Sequence, residues 1–282
     1  MENLLNQLKS QILIRLPRSH YSKLLEKWGQ LKLQNNLNNL QKRIFSNIAS
    51  INLHEMEKPI EDYASLDEFF TRRLKPGIRN INGDSKTIVS PADGRIESFG
   101  DLKDGNLIQA KGINYDIHSF LNNQEASQKL KNGKFLTIYL SPHDYHRVHF
   151  PLGGKVVDYW HIRGESYPVG SFSRKNIKSL YCKNERVITY VKTKYGLMAV
   201  VMVAAMGVGN ISLSYLFNPD KSIRDFKCKT PGKPIEVEKG EELGVFHLGS
   251  TVVMIFENNQ IKWQQLQEEQ IIKMGNSVAH FE

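Results

Sequence analysis

Apolar and polar residues follow two different patterns along the chain, and the first pattern predicts helices. Up to about residue 50, bulky apolar residues recur every three or four positions, with basic residues among the polar ones between them. This spacing places the apolar residues on one face of a helix. The pattern covers Leu4–Leu16, which Pro17 ends, and then Tyr21–Leu31 and Leu40–Ile48. We assign residues 1–62 to a helical region built from such amphipathic segments.

Two explanations of these amphipathic helices stay open. A basic helix with bulky apolar residues can lie in a membrane interface, with its apolar face among the acyl chains. It can equally pack as a lid on the protein's own core. The pattern of residues alone favours neither explanation.

The second pattern, which begins at Thr87, predicts strands. Ahead of it, Ser65-Leu66-Asp67-Glu68 forms a capping box, which predicts a short helix that ends before Pro76. Residues 117–130 are expected to form one helix among the strands. Many short strands with Gly-rich turns predict an α+β fold, in which amphipathic N-terminal helices precede a β-rich barrel or sandwich domain over residues 63–282. The expected strands are Thr87–Val89, Gly94–Phe99, Leu107–Ala110, Phe135–Leu140, Gly154–Tyr159, Arg186–Thr193, Gly196–Ala204, Gly209–Phe217 and Val245–Phe256.

Net charge narrows the class of partner. The chain has 38 Lys and Arg against 29 Asp and Glu, which leaves a net charge of +9. A basic protein suits an anionic partner, either a nucleic acid or a membrane surface. The charge is spread out and no nucleic-acid-binding motif is present, so we expect a membrane surface and no nucleic acid.

The sequence also indicates the compartment. No apolar run reaches the 18–20 residues, roughly, that a transmembrane helix needs, and no secretory signal is evident. The two cysteines, Cys182 and Cys228, match no metal-ligand spacing and predict no disulfide, which fits a reducing compartment.

One interruption in a predicted strand gives the first indication of chemistry. Residues 242–256 have the composition of a single strand, yet Gly249-Ser250 lies inside it. A glycine within a strand often marks a bulge or a close approach of backbone. Taken alone, this one predicts a bulge.

Several short segments, taken in chain order, change that interpretation. Residues 89–96 contain Ser90-Pro91-Ala92-Asp93-Gly94, residues 139–151 contain His146-Arg147-Val148-His149, and residues 248–251 are Leu-Gly-Ser-Thr. Together with residues 69–77 and 184–187, they resemble the phosphatidylserine decarboxylases of the bacterial and mitochondrial type. The resemblance covers the chain from about Leu66 onward.

The resemblance implies a cofactor made from the chain itself. Decarboxylation of an amino acid leaves negative charge on Cα, which ordinary side chains cannot delocalise, and we find no pyridoxal-binding signature. The family implies that the chain cuts itself between Gly249 and Ser250 and that Ser250 becomes a pyruvoyl group. That group would form a Schiff base with phosphatidylserine, release carbon dioxide and yield phosphatidylethanolamine. The cut would leave residues 1–249 and a fragment of 282 − 249 = 33 residues.

The same resemblance assigns roles to four residues. Ser250 attacks the Gly249 carbonyl, His149 is the base that this weak nucleophile needs, and Asp93 orients His149. His146 would protonate the substrate carbon after carbon dioxide leaves, since the pKa of histidine lies near the working pH. His247 is expected to be structural, and no metal site is expected, because His146 faces away from His143 and His149 on a strand.

Partners and location also follow from the resemblance. Phosphatidylserine in an anionic membrane is the implied substrate, and a peripheral position on the cytoplasmic face of the cell membrane is the implied location. The resemblance therefore favours residues 1–62 as a membrane-association region and residues 63–282 as the catalytic domain. The two fragments of the precursor would stay associated, and a homodimer is left open. The basic cluster Arg72, Arg73, Lys75 and Arg79 would either bind lipid phosphate or form a solvated face.

Two other functions compete with this one. Ser250, His149 and Asp93 could serve a serine hydrolase, although the Gly-x-Ser-x-Gly elbow is missing. Alternatively, Lys239–Gly244 resembles a turn of small carrier domains that bear biotin or lipoate on a lysine. We find no convincing site for such a modification, and a carrier would leave the Asp93 and His146–His149 segments unexplained.

Overall fold

The computed structural model describes residues 27–110, 113–205, 211–216, 233–247, 250–257 and 259–282. The helix predicted over Leu4–Leu16, most of the Tyr21–Leu31 segment, Cys228 and Gly249 therefore lie outside the described residues. Within them, a few short helices accompany a strand-rich body. The predicted α+β class is confirmed.

Among the described residues, the longest helix is also the first. Helix α1 spans Asn35–Ala49, and α2 spans Leu66–Phe70 after two 3-10 turns, Leu53–Glu55 and Ile60–Asp62. The remaining helices are α3 (Ile117–Leu121), α4 (Gln124–Leu130), α5 (Ser171–Asn176) and α6 (Leu180–Lys183). Among the described residues, no helix has the length and apolar character needed to cross a bilayer.

The predicted capping box at the start of α2 is confirmed for its Ser65 contact, whereas its Glu68 contact is shifted by one residue. The Ser65 hydroxyl accepts from the Glu68 N–H at 3.1 Å. The Glu68 carboxylate accepts from the N–H of Ala64, one residue before the expected one, at 2.8 Å. The helix ends at Phe70, before Pro76 as predicted.

The single helix expected over residues 117–130 is wrong, because the structure has two helices there. Asn122 adopts a left-handed conformation with φ of 48°, which ends α3. The Asn123 side chain then accepts from the Ala126 N–H at 3.1 Å and starts α4. Asparagine tolerates the left-handed region and caps helices well, so the adjacent pair breaks the helix.

The described strands are β1 (Thr87–Val89), β2 (Gly94–Asp101), β3 (Asn106–Ala110), β4 (Ile113–Asp116), β5 (Lys134–Leu140), β6 (Arg147–His149), β7 (Gly154–Ile162), β8 (Arg186–Thr193), β9 (Gly196–Ala204), β10 (Ile211–Leu213), β11 (Ile235–Val237), β12 (Glu242–Phe246), β13 (Ser250–Phe256), β14 (Ile261–Trp263), β15 (Ile271–Ile272) and β16 (Ser277–Phe281). They form four sheets, and every pairing between them is antiparallel. The eight-stranded sheet has the order β11-β7-β8-β9-β13-β5-β2-β15, and smaller sheets have the orders β1-β16-β14, β10-β12-β6 and β3-β4. These strands close no barrel and form a sandwich-like arrangement.

The strand expected to run through residues 242–256 is divided between two sheets. Strand β12 pairs with β10 and β6, whereas β13 pairs with β9 and β5 in the large sheet. Glu242–Phe246 and Ser250–Phe256 therefore belong to different sheets rather than to one continuous ladder. The chain changes sheets immediately before Ser250.

Within the described part of the chain, two clusters of buried apolar residues support this arrangement. The main core lies around the central strands of the large sheet, and all seven residues of β13 are buried. A smaller cluster joins the helical region to α2, and Phe45 and Ala49 of α1 pack against it. Its members are Ile51, Met56, Ile60, Tyr63, Leu66 and Phe69.

Candidate active site

Ser250 is the first residue of β13 and is fully buried. It pairs with Leu140 of β5 on one side and with Ala204 of β9 on the other. Its Oγ has no hydrogen-bond partner among the described residues. A buried hydroxyl without a partner is costly, and such atoms concentrate where chemistry takes place.

Asp93 lies just before β2 and is only 1% exposed. Its carboxylate accepts from Arg79 Nε at 2.9 Å, from the Met274 N–H at 2.9 Å and from Lys273 Nζ at 3.2 Å. Burial raises the pKa of Asp93, but the hydrogen bond from Arg79 and the charges of Lys273 and Arg79 outweigh burial and lower the pKa below its ordinary value. The group is therefore an anion at neutral pH.

Gly94 allows the Asp93 segment to lie close to the end of β5. A Cβ at this position would stand 2.3 Å from the carbonyl oxygen of Tyr139. No side chain fits at that distance, so the backbone of β2 approaches β5 only because residue 94 is glycine. Tyr139 is the neighbour of Leu140, which pairs with Ser250.

His149 ends β6 and makes two side-chain contacts. Its Nδ1 lies 2.8 Å from the Gly240 carbonyl oxygen, and its Nε2 lies 3.3 Å from the Tyr145 hydroxyl. Since a carbonyl only accepts, Nδ1 carries the proton and Nε2 presents a lone pair. Burial lowers the pKa of His149, and the Gly240 carbonyl opposes this in part. His149 is thus a neutral base of defined tautomer.

The predicted contact between Asp93 and His149 is absent from the hydrogen bonds of the described residues. The Asp93 carboxylate is occupied by Arg79 and Lys273, which are charged donors and hold it more strongly than a neutral imidazole would. The two segments do touch through their backbones, because the His149 N–H donates to the Pro91 carbonyl at 2.8 Å. Asp93 therefore lies near the His149 segment without orienting its ring.

His146 is fully buried, and its ring contacts the Phe70 ring with centroids 4.0 Å apart. Its Nδ1 lies 2.9 Å from the Asp144 carbonyl oxygen, which fixes the proton on Nδ1. Its Nε2 is buried and has no partner among the described residues. Burial, with a smaller effect of the Arg72 charge, lowers the pKa of His146 to about 3. The ring is neutral at physiological pH and offers a lone pair.

The strand connections bring His146 to the end of the sheet where Ser250 lies. His146 follows Leu140, the partner of Ser250, by six residues. Its carbonyl accepts from the Phe246 N–H at 3.0 Å, four residues before Ser250. His149 lies further along the same strand pair, opposite Glu242. Of the two histidines, His146 is the nearer to Ser250 along these strands.

Arg72 and Arg79, at the two ends of the basic cluster, are neither part of a solvated face nor open to a lipid phosphate. Arg72 is 4% exposed and donates to the backbone carbonyls of His143 and Asp144 at 2.9 and 3.2 Å. Arg79 binds Asp93 and, at 2.7 Å, Glu55. Between them, the more exposed Arg73 pairs with Glu242 at 3.1 Å. Arg72 and Arg79 are thus structural, and Arg72 supports the loop that carries His146, whereas Arg73 and Lys75 are exposed.

Sequence reasoning missed Arg79 and Tyr145 as neighbours of the site residues. Arg79 was visible only as one of several basic residues, and its contact with Asp93 spans 14 positions. Tyr145 lies within residues 139–151, four residues before His149, but nothing in its spacing indicates a hydrogen bond to the His149 ring. His247, expected to be structural, contacts Asp67 and Ser212.

The fold and the site together define an enzyme with a buried serine and two neutral buried histidines. Comparison with known families agrees with this class: the family model described as phosphatidylserine decarboxylase matches residues 66–280. The chain belongs to the phosphatidylserine decarboxylase family, whose members are lyases. The alternatives of a serine hydrolase and a biotin or lipoate carrier are therefore wrong.

Individual relatives carry the same name over most of the chain. The phosphatidylserine decarboxylase proenzyme of Myxococcus xanthus (strain DK1622) is 39% identical over 265 residues, covering 94% of this chain and 95% of the relative. The proenzyme of Brevibacillus brevis is 41% identical over 229 residues, covering 79% and 81%. That of Acinetobacter baylyi is 38% identical over 224 residues, covering 77% and 75%. The word proenzyme in these names implies that the chains are processed.

Proposed function

We propose that this chain is a precursor that cuts itself between Gly249 and Ser250, converts Ser250 into a pyruvoyl group, and then decarboxylates phosphatidylserine to phosphatidylethanolamine. The observation that carries the proposal is the buried, unpartnered hydroxyl of Ser250 at the point where the chain changes sheets. That atom is held in place by strands on both sides and is free to react.

The cut follows from the chemistry of a serine beside a glycine carbonyl. Ser250 Oγ bonds to the carbonyl carbon of Gly249 and loses its proton to a base, the C–N bond breaks, and the nitrogen of residue 250 takes up a proton. The Ser250 Cα then loses a proton, the Oγ–Cβ bond breaks, and Gly249 leaves as a carboxylate. Water hydrolyses the resulting dehydroalanine to the keto form and releases ammonia.

The environment of Ser250 fits a pyruvoyl group. A buried Oγ without a hydrogen-bond partner forfeits no contact when the oxygen leaves. Once formed, the group supplies a carbonyl that acts as an electron sink for the substrate, which side chains cannot provide. The surrounding strands exclude water from this position, since Leu140 and Ala204, which pair with it, are buried.

His149 and Asp93 support the cut in different ways. His149 presents its Nε2 lone pair on a fixed tautomer, and it is the base that the family resemblance implies. Asp93 acts on this histidine through the backbone: its ion pairs anchor the segment whose Pro91 carbonyl binds the His149 N–H. Its role is to position the histidine.

His146 is proposed to handle protons during decarboxylation. Because its Nε2 is free of a proton, it enters the cycle as an acceptor. The ammonium group of the substrate must lose a proton before the nitrogen can act as a nucleophile, and His146 can take that proton. The nearby substrate carboxylate favours the charged ring. The same ring can then return a proton to the substrate carbon once carbon dioxide has left.

The two fragments are expected to stay together after the cut. Strand β13, which begins the 33-residue fragment, pairs along its whole length with β5 and β9 of the larger one. Its seven residues are all buried. Separating it would expose this apolar strand and break both ladders, so one cut does not dissociate the molecule.

Helix α1 supports a position on an anionic membrane. Its polar residues Asn38, Lys42 and Ser46 are buried, and Lys42 Nζ donates to the Ile60 and Tyr63 carbonyls, at 2.6 Å each. Its apolar face is turned outward, and the exposed fractions there rise to 80% at Ile48. A helix whose apolar face points outward can lie on a bilayer, because its apolar side chains then move from water into the acyl chains. The outward apolar residues are Leu37, Leu40, Ile44 and Ile48, and with Trp28 and Leu33 they line a groove of about 380 Å³.

This arrangement combines the two explanations of the helices. One face of α1 packs on the smaller core, and the other is free for lipid. The net charge of +9 adds attraction to anionic lipid, at about 1 kcal/mol for each basic group near the surface. We propose that the protein is peripheral, with α1 facing the cytoplasmic leaflet that contains the substrate.

Activity is tested with vesicles that contain phosphatidylserine labelled in the serine carboxyl. The purified protein should release labelled carbon dioxide and leave phosphatidylethanolamine, and the Ser250→Ala variant should release none. Equal release by both proteins would overturn the proposal, because no pyruvoyl can form without the serine oxygen.

A further inference from the structure

The side chain of His247, between β12 and β13, has no part in the reaction proposed for the site. His247 stands just after β12, three residues before Ser250. Its Nδ1 lies 2.9 and 3.1 Å from the two carboxylate oxygens of Asp67, in the first turn of α2. Its Nε2 lies 3.3 Å from Ser212 Oγ in β10. Three separate elements thus meet at one imidazole.

We propose that Asp67 and His247 form a clamp that positions the Gly249 carbonyl for attack by Ser250. Both neighbours of the segment are fixed by strand pairing, β12 at Phe246 and β13 at Ser250. Between Phe246 and Ser250, the structure describes His247. Two residues span at most about 7 Å, so anchoring His247 restricts where Gly249 can lie.

The physical requirement for such a clamp is strict. Intramolecular attack gains its rate from a carbonyl held at contact distance from the nucleophile, and a misplacement of about 1 Å can cost about a hundredfold. The anchor on the Asp67 side is rigid, because Ser65 and Glu68 cap α2 and Phe69 lies in the smaller core. His247 is therefore a positioning residue for the cut.

The contacts Ser212–His247–Asp67 also resemble a hydrolytic triad, but the structure does not fit a second active site there. Ser212 is 4% exposed and lies in the middle of β10, between Ile211 and Leu213, which are buried. A substrate cannot reach its hydroxyl without opening the sheet. The arrangement suits a fixed contact within the protein.

The test uses variants that keep the shape of each side chain, Asp67→Asn and His247→Gln, and a swap that combines Asp67→His with His247→Asp. The matched control is Glu125→Gln, which removes the exposed ion pair of Glu125 with Lys129 at 2.8 Å. Each full-length chain is made by cell-free translation, and its conversion to the 249-residue fragment is followed by gel electrophoresis against time. Preparations incubated until cutting is complete are then assayed for decarboxylation per cut chain.

The clamp predicts that each single variant cuts about tenfold more slowly or worse, that the swap recovers most of the lost rate, and that the control cuts like the wild type. Decarboxylation per cut chain should fall far less than the rate of cutting. The clamp is overturned by single variants that cut at the wild-type rate, by a swap that recovers nothing, or by turnover that falls as much as cutting. Thermal unfolding in the Ser250→Ala background supplies the control for stability: a midpoint lowered by more than about 8 °C would mark a general stabilising contact and also overturn the clamp.

This inference rests on the proposed self-cleavage, and the experiment separates the two. A wild-type chain that never cuts contradicts the proposed function itself. A wild-type chain that cuts beside single variants that cut equally fast contradicts the clamp alone.

Discussion

Arg79 donates from Nε to the Asp93 carboxylate at 2.9 Å, and the two side chains are 8% and 1% exposed. The pair lies beside the segment that binds the His149 backbone. It joins the loop before β1 to the loop before β2, and Glu55 extends it at 2.7 Å from Arg79. A single buried arginine therefore holds together the loops that support the site.

Replacing Arg79 with glutamine should destabilise the protein by about 3–5 kcal/mol, because it leaves a buried carboxylate with weaker partners. Urea denaturation of the Ser250→Ala chain, which cannot be cut, measures this as a lower midpoint. Arg43→Gln serves as the control, since Arg43 and Glu61 are exposed, and it should change stability by no more than about 1 kcal/mol. Equal effects of the two substitutions would refute the structural role of Arg79.

The neutral state of His146 predicts how stability depends on pH. Its pKa is about 3 in the folded chain and about 6.5 when unfolded. Between these values the unfolded chain binds a proton that the folded chain does not, so the free energy of unfolding falls as the pH decreases from about 6.5 towards 3.

The slope from this one group approaches about 1.4 kcal/mol per pH unit. In the Ser250→Ala chain, His146→Gln should remove that part of the slope and leave the contribution of His149, whose pKa is also lowered. Denaturation curves at pH 5, 6 and 7, or thereabouts, provide the comparison. If the two chains have the same slope, His146 is already charged or equally accessible when folded.

Substitution of His149 and substitution of His146 should block different stages, the cut and the decarboxylation. His149→Ala should accumulate uncut chain, because Ser250 loses its base. His146→Ala should still be cut, yet release carbon dioxide about 10²–10⁴-fold more slowly, because proton transfer to and from the substrate is lost. Gel electrophoresis reports the cut, and labelled carbon dioxide reports turnover.

The reverse result would exchange the two roles. His146 bonds to Phe246, near the end of β12 that precedes Ser250, whereas His149 lies opposite Glu242. An uncut His146 variant together with a cut and inactive His149 variant would assign the self-cleavage base to His146.

Much of this arrangement was predictable from local patterns. The Ser65–Glu68 capping box, most of the strands and the three chemical segments depend on neighbouring residues, and the sequence indicated them. The partner of Asp93 did not follow, because Arg79 reaches it through a fold that brings two loops together. The change of sheet after Phe246 was also hidden, since strands in either sheet have the same apolar composition.

Helix α1 shows a different limit of pattern analysis. Its periodicity identified an apolar face and a polar face, but not which face lies inward. The buried amine of Lys42 donates to the carbonyls of Ile60 and Tyr63, which belong to a 3-10 turn and the residue just after it. Periodicity carries no information about which carbonyls can accept from a lysine. The outward orientation of the apolar face was therefore evident only from the structure.

The outward face of α1 should bind anionic vesicles. Ile48→Glu should weaken binding to vesicles that contain phosphatidylserine by about tenfold or more, because it places a charge where acyl chains are expected and repels the anionic surface. Vesicle sedimentation measures the effect. Ile271→Glu is the matched control, because Ile271 is 73% exposed on β15 and should change binding far less.

Two results would count against this orientation. Equal loss of binding by Ile48→Glu and Ile271→Glu would mean that only net charge matters. Unchanged binding by Ile48→Glu would mean that the outward face of α1 does not contact the bilayer.

The measurement that tests the central claim most directly is the intact mass of the freshly purified protein under denaturing conditions. Two species are expected: residues 1–249, and a fragment of 33 residues that is lighter than a serine-initiated peptide by one ammonia. Borohydride should then add two hydrogens to the small fragment alone. A decarboxylase preparation that contains only the uncut chain, or a small fragment that begins with unmodified serine, would contradict a pyruvoyl group made from Ser250.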